Sequence, residues 1–138
     1  MTRRYYLAKT DPETYSITQF AEEQETNWDG VRNAQALRAI RAMSPGDIVF
    51  IYHSMTAAAV VGYAKVVSAP AQDPTDEKLW TVRFRFLGLL EPTVSLKEIK
   101  ASGLFEDWSL VRQSRLSTME APSAFVDWMQ AKFPKTRF

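Results

Sequence analysis

The run from Trp80 to Phe86 sets the first constraint on this chain. It alternates Trp80, Val82, Phe84 and Phe86 with Thr81, Arg83 and Arg85. One face is apolar and the other polar at a period of two, which predicts a half-buried strand. Such a strand needs a sheet to join and something apolar to cover one face. Tyr5 to Lys9, Asp47 to His53, Ala58 to Ser68 and Arg115 to Met119 read as further strands. The Trp80 strand is expected to reach Leu89 and to end by Pro92. Gly62, inside its strand, predicts a bulge or a close approach by another backbone or a ligand. Short helices fall between the strands. Ser16 with Gln19 and Ser95 with Glu98 have capping-box spacing. The first predicts a helix through about Glu23, and Gly103 is a stop for the second. Asn33 is a good N-cap for a helix from Ala34 to Met43, with Leu37, Ile40 and Met43 on one stripe. Ser123 is expected to cap a last helix that turns Phe125, Trp128, Met129 and Phe133 inward. Thr10 to Thr14 and Asn27 to Gly30 read as loops, and Pro45-Gly46 and Gln72 to Lys78 as turns. Strands interrupted by short helices, without βαβ alternation, predict an α+β domain: a small curled sheet or open barrel with peripheral helices.

The chain has 138 residues and no repeat or linker, so residues 1–138 read as a single domain. It has no cysteine and one histidine. Disulfides, thiolate catalysis and Cys-ligated zinc are excluded, and no metal or redox cofactor is expected. Met1 to Tyr6 are followed by Lys9, with no signal-peptide core and no run long enough to span a membrane. The expectation is a monomer without a membrane partner, in the cytoplasm or, for a eukaryotic source, the nucleus. Net charge is +1, from 17 basic and 16 acidic residues. That excludes gripping nucleic acid by bulk charge. Any such contact must come from a local surface and a pocket.

Four clusters carry candidate chemistry. Trp28-Asp29-Gly30-Val31-Arg32-Asn33 joins a stacking surface, a carboxylate, a flexible turn and an arginine at a helix start. Read structurally, Trp28 would plug the core edge and Arg32 would pair with Asp29. Tyr52-His53-Ser54 ends a strand. A Ser-His-Asp triad is disfavoured there, because strand neighbours point to opposite faces and no elbow glycines flank Ser54. His53 is as readily a hydrogen-bonded structural residue. Lys9-Thr10-Asp11-Pro12 leaves the first strand, and Arg115-Leu116-Ser117 opens the last. No catalytic residue is assigned.

Taken in order, Lys9-Thr10-Asp11-Pro12, Tyr15-Ser16, Trp28 to Asn33 with Gln35-Ala36, Met43, Gly46-Asp47, Tyr52-His53-Ser54, Val61-Gly62, Asp73-Pro74 and Arg115-Leu116-Ser117 resemble the EVE domain over nearly the whole chain. Thr10 and Asp11 depart from the Lys-Ser-Glu-Pro usual in that family. Thr118 to Pro122 depart from its Val-x-Pro tail. The resemblance implies a PUA-like fold, a curled β-barrel with helices around it, and kinship to YTH and ASCH domains. It implies a non-enzymatic module that accepts a modified nucleobase, chiefly modified cytosine in DNA, with modified RNA also open. On that reading Trp28 stacks on or cages the base, and Tyr15 and Tyr52 form walls. Thr10, Asn33 and Ser54 read its edge. Lys9, Arg32 and Arg115 hold phosphate or a base carbonyl, and His53 does either. Trp28, Asn33, Ser54 and Arg115 should then line one concave pocket. Two other readings stay open: a small hydrolase of modified nucleosides using Lys9, Thr10 and Asp11 or Asp29, as ASCH relatives suggest, or a protein-interaction adaptor.

Overall fold

A computed structural model of the chain describes residues 3–55 and 57–138. The elements are β1 (Tyr5–Thr10), α1 (Ile17–Glu23), β2 (Glu25–Trp28), α2 (Ala34–Ala42), β3 (Ile48–His53), β4 (Ala59–Val66), β5 (Ala71–Asp73), β6 (Asp76–Ser95), α3 (Leu96–Ala101), α4 (Ser109–Arg112), β7 (Thr118–Glu120) and α5 (Ser123–Lys132). The strands form one mixed sheet in the order β2-β6-β4-β3-β1-β7, with β5 also on β6. Among the described residues only β1 and β3 pair in parallel; α1, β2 and α2 make the crossover between them. The sheet stays open, ending at β2 and β7. This is the α+β architecture that the strand and helix pattern predicts, and it agrees with the PUA-like fold that the EVE resemblance implies. Among the described residues no helix is long and apolar enough to cross a membrane.

Central β3 is buried on both faces from Ile48 to Tyr52, because β1 and β4 flank it and side chains cover each side. One aromatic cluster gathers on it: Phe50 meets Phe125 at 5.4 Å and Phe138 at 5.2 Å, and Trp108 meets Phe125 at 4.5 Å. A second cluster lies toward the β2 edge, with Trp28 on Phe84 at 5.1 Å and Phe20 on Phe86 at 5.6 Å.

Several boundaries differ from the sequence reading. Glu25 to Trp28 form a strand where a loop from Asn27 is expected; pairing with β6 overrides weak local propensity. Ala71 to Asp73 also form a strand, so the expected turn shrinks to a tight hairpin on β6. β6 runs through Pro92 to Ser95. Pro92 is tolerated because the ladder is irregular there: Val60 pairs with Val94 while Gly62 already pairs with Leu89. β7 begins at Thr118, leaving Arg115 outside it. Ser123 is the first residue of α5, and Pro122 occupies its cap position without a side-chain bond. The α4 turn is new.

Gly62 fulfils both expectations at once. Ile51 pairs with Gly62 and Tyr52 with Val60, so Val61 is the extra residue of a bulge. A Cβ on Gly62 would sit 2.7 Å from Ile17 Cδ1 and 2.9 Å from the Gly88 carbonyl oxygen. The missing side chain lets α1 seat its first residue directly on the sheet.

Candidate functional site

The C-terminal end of β1 delivers Lys9 and Thr10 to one end of the sheet. Lys9 is anchored twice: its backbone N–H donates to the Ser117 carbonyl at 2.7 Å, and Nζ donates to the Ser114 carbonyl at 3.0 Å. Nζ also lies over the Tyr52 ring at 5.5 Å. Burial pushes the Lys9 ammonium below its ordinary value of 10.5. The Thr10 hydroxyl donates to the Tyr15 carbonyl at 2.8 Å, and the Asp11 carbonyl accepts from the Thr14 and Tyr15 N–H groups. These bonds fold residues 10–15 into a compact turn that presents the Tyr15 ring. Its hydroxyl donates to Glu23 Oε1 at 2.6 Å, and burial, with this bond second, pushes the phenol up to about 12.

Opposite, β2 brings Thr26, Asn27 and Trp28. The Trp28 ring is only 7% exposed and sits edge-on to Tyr15 at 6.2 Å. Gly30 takes φ +75°, which turns the chain so that Val31 is buried and Arg32 is exposed. Asp29 and Arg32 form no ion pair among the described residues.

Together these walls enclose a pocket of about 630 Å³. Five of the residues expected at a site line it: Lys9, Thr10, Tyr15, Trp28 and Arg32. Asp11, Thr14, Glu23, Thr26, Asn27 and Ser117 line it too. Thr26 and Asn27 are not among the expected site residues, because Asn27 reads as loop and four residues carry too little period-two pattern to mark a strand.

The other five expected residues are not on its lining. Asn33 caps α2, its Oδ1 accepting from Gln35 N at 2.8 Å and Ala36 N at 3.1 Å. Tyr52 is buried beneath Lys9. Ser54 docks on the end of β1, its N–H donating to the Thr10 carbonyl at 3.0 Å. Arg115 is exposed in the segment before β7. Of Trp28, Asn33, Ser54 and Arg115, only Trp28 lines the pocket.

His53 holds the start of α1: its Nε2 accepts the Ile17 N–H at 2.9 Å, which requires that nitrogen to be unprotonated. Burial lowers its pKa from the ordinary 6.5. The unfolded chain therefore takes up the proton first. The stability contribution of neutral His53 is complete above about pH 6.5 and falls as pH drops from there to the lowered folded value. The expected result is a wild-type Tm that declines between neutral and mildly acidic pH more steeply than that of His53→Gln. Parallel Tm profiles would show that this imidazole is not what holds the helix.

The chain is 31% identical to thymocyte nuclear protein 1 of Rattus norvegicus over 149 residues, covering 82% of this chain and 66% of that protein. It thus spans about two thirds of that relative's length. A Rhodopseudomonas palustris protein solved by NMR is similar at 31% identity and TM-score 0.85, covering 91% of this chain and 89% of that one. The human THYN1 protein, solved in complex with DNA containing 5-methylcytosine, shares the fold at TM-score 0.85 and 23% identity, covering 93% of this chain and 96% of that one. The EVE domain profile matches residues 4–131, and the chain belongs to the EVE domain family.

Proposed function

We propose that this chain is a nucleic-acid-binding module that accepts one modified base in the pocket between β1 and β2. The observation that carries this reading is the pocket's lining. Its volume lies within the roughly 300–1,000 Å³ typical of small-ligand sites. Tyr15 and Trp28 give it an aromatic wall, while Thr10, Thr26, Asn27 and Ser117 give it short polar groups. Its charges are mixed: Lys9 and Arg32 against Asp11, Glu23 and Asp29. A pocket built for a free phosphate would be cationic; this balance suits a neutral, hydrogen-bonding ring. The relative solved with methylated DNA supports the same class of ligand.

Extruding a base from a duplex costs a few kcal/mol, which stacking and base-edge hydrogen bonds must offset. Lys9 is positioned for the latter. Only one of its ammonium hydrogens goes to Ser114, so others remain for a base carbonyl. Carboxylates at Asp11 and Asp29 are acceptors for an exocyclic amine. Hydrolysis gains no support from this geometry, since the Thr10 hydroxyl hydrogen is committed to the Tyr15 carbonyl and no base accepts it.

Fluorescence anisotropy with matched oligonucleotides, one carrying a modified cytosine and one not, tests the reading. Wild type is expected to prefer the modified strand. Lys9→Gln should weaken that complex about tenfold or more, the loss of a charge-assisted hydrogen bond of about 1.5–3 kcal/mol. Equal affinity for both oligonucleotides, or none for either, overturns it.

A further inference from the structure

We infer that Arg83 and Arg85 form a docking surface for the phosphodiester backbone that flanks the bound base, held below its full strength by Glu25. This rests on the base-binding reading above. On the polar face of β6, Arg83 lies opposite Asn27 and Arg85 opposite Glu25. Asn27 lines the pocket. Directly opposed residues in antiparallel strands have Cβ atoms roughly 5 Å apart, so Arg83 neighbours a lining residue, on the outer face of the β2–β6 ladder. Arg32 lines the same pocket from the loop after β2. A nucleotide whose base occupies the pocket leaves its neighbouring phosphates outside it, and these arginines are cations at that edge.

Glu25 takes both arginines at once. Its Oε1 accepts from Arg83 Nε at 3.0 Å, and its Oε2 from Arg85 Nε at 3.0 Å and Nη2 at 2.8 Å. One carboxylate cannot neutralise two guanidinium groups, so the cluster keeps a net positive charge. The arginine side chains remain 47% and 54% exposed. Among the described residues Arg83 spends only its Nε–H, and Arg85 only one edge, which leaves both terminal nitrogens of Arg83 and one of Arg85 for phosphate oxygens. Exposed ion pairs of this kind hold weakly and exchange readily for a better-placed anion. The three side chains also staple β2 to β6, which ties the pocket's β2 wall to the docking surface.

Salt dependence separates this from a merely structural role, because each phosphate neutralised adds about 0.9 to the log–log slope. Binding of the modified and unmodified oligonucleotides is measured across a salt series for wild type, Arg83→Gln/Arg85→Gln, Arg83→Lys/Arg85→Lys and Glu25→Gln. Thermal melting checks that each variant is folded. The double glutamine variant should flatten the slope by about two units and keep the ratio between the two oligonucleotides. The double lysine variant should keep the slope. Glu25→Gln should bind both oligonucleotides several-fold more tightly at low salt. A folded double glutamine variant with the wild-type slope and intact base preference overturns this surface and leaves the pocket reading standing. Salt-dependent binding without base preference, lost with the arginines, overturns the pocket reading alone. Absence of binding by every protein overturns both.

Discussion

Trp28→Ala is expected to lower the unfolding free energy by about 3–5 kcal/mol, the range for truncating a buried Trp or Phe. The ring is 7% exposed. It lies 5.1 Å from Phe84, 6.4 Å from Phe20 and 6.2 Å from Tyr15. Its removal would open a hole between α1 and the β2–β6 ladder that neighbouring side chains cannot fill without moving the strands. The pocket wall and the core therefore share one side chain, and loss of binding in this variant cannot be read as loss of stacking alone. Urea unfolding of Trp28→Ala and Trp28→Phe separates the two contributions. The phenylalanine variant should retain most of the stability and show the change in binding directly. A loss below about 1 kcal/mol in Trp28→Ala would mean that the ring is not part of the core.

The same residue shows what the sequence makes legible. Trp28 stands out in its loop-like run because a large aromatic beside Asp29 and Gly30 is unusual there, but a single residue cannot say whether it faces ligand or core. It does both. The alternation of β6 is readable because each apolar residue from Trp80 to Phe86 faces the core and each arginine faces solvent. β2 is not readable in the same way. Four residues carry too little pattern, and Glu25 and Asn27 are strand-forming here only because Arg85 and Arg83 lie opposite them. Pro92 misleads for the converse reason: the rule that proline ends a strand assumes a regular ladder, and the β4–β6 ladder is irregular at that point. Local chemistry was more reliable where the partner is close in sequence. Asn33, Ser16 and Ser95 each accept the N–H bonds that their spacing predicts. His53 and Ser54 could not be placed from local spacing, since their partners Ile17 and Thr10 are far away along the chain and meet them only through the parallel β1–β3 pair.

Asp47→Ala is expected to cost about 2–4 kcal/mol, although Asp47 reads as no more than the first residue of a strand after the Pro45-Gly46 turn. Asp47 is 5% exposed. Its Oδ1 accepts from the Arg4 backbone N–H at 3.0 Å and its Oδ2 from the Ser44 N–H at 2.9 Å. The carboxylate thus joins the start of β1 to the turn that feeds β3, where the parallel pair begins with Tyr5 opposite Ile48. Hydrogen bonds to a charged group contribute about 1.5–3 kcal/mol each. Alanine removes two, and water regains access to both exposed donor residues, which brings the sum down. Asparagine keeps one acceptor oxygen but puts an N–H₂ group against the other donor, so Asp47→Asn should cost about half as much. Equilibrium unfolding of the two variants under one set of conditions checks the order. If asparagine proves as damaging as alanine, the two accepted bonds are not what the aspartate contributes; if both are neutral, the β1–β3 register is fixed by the strands alone.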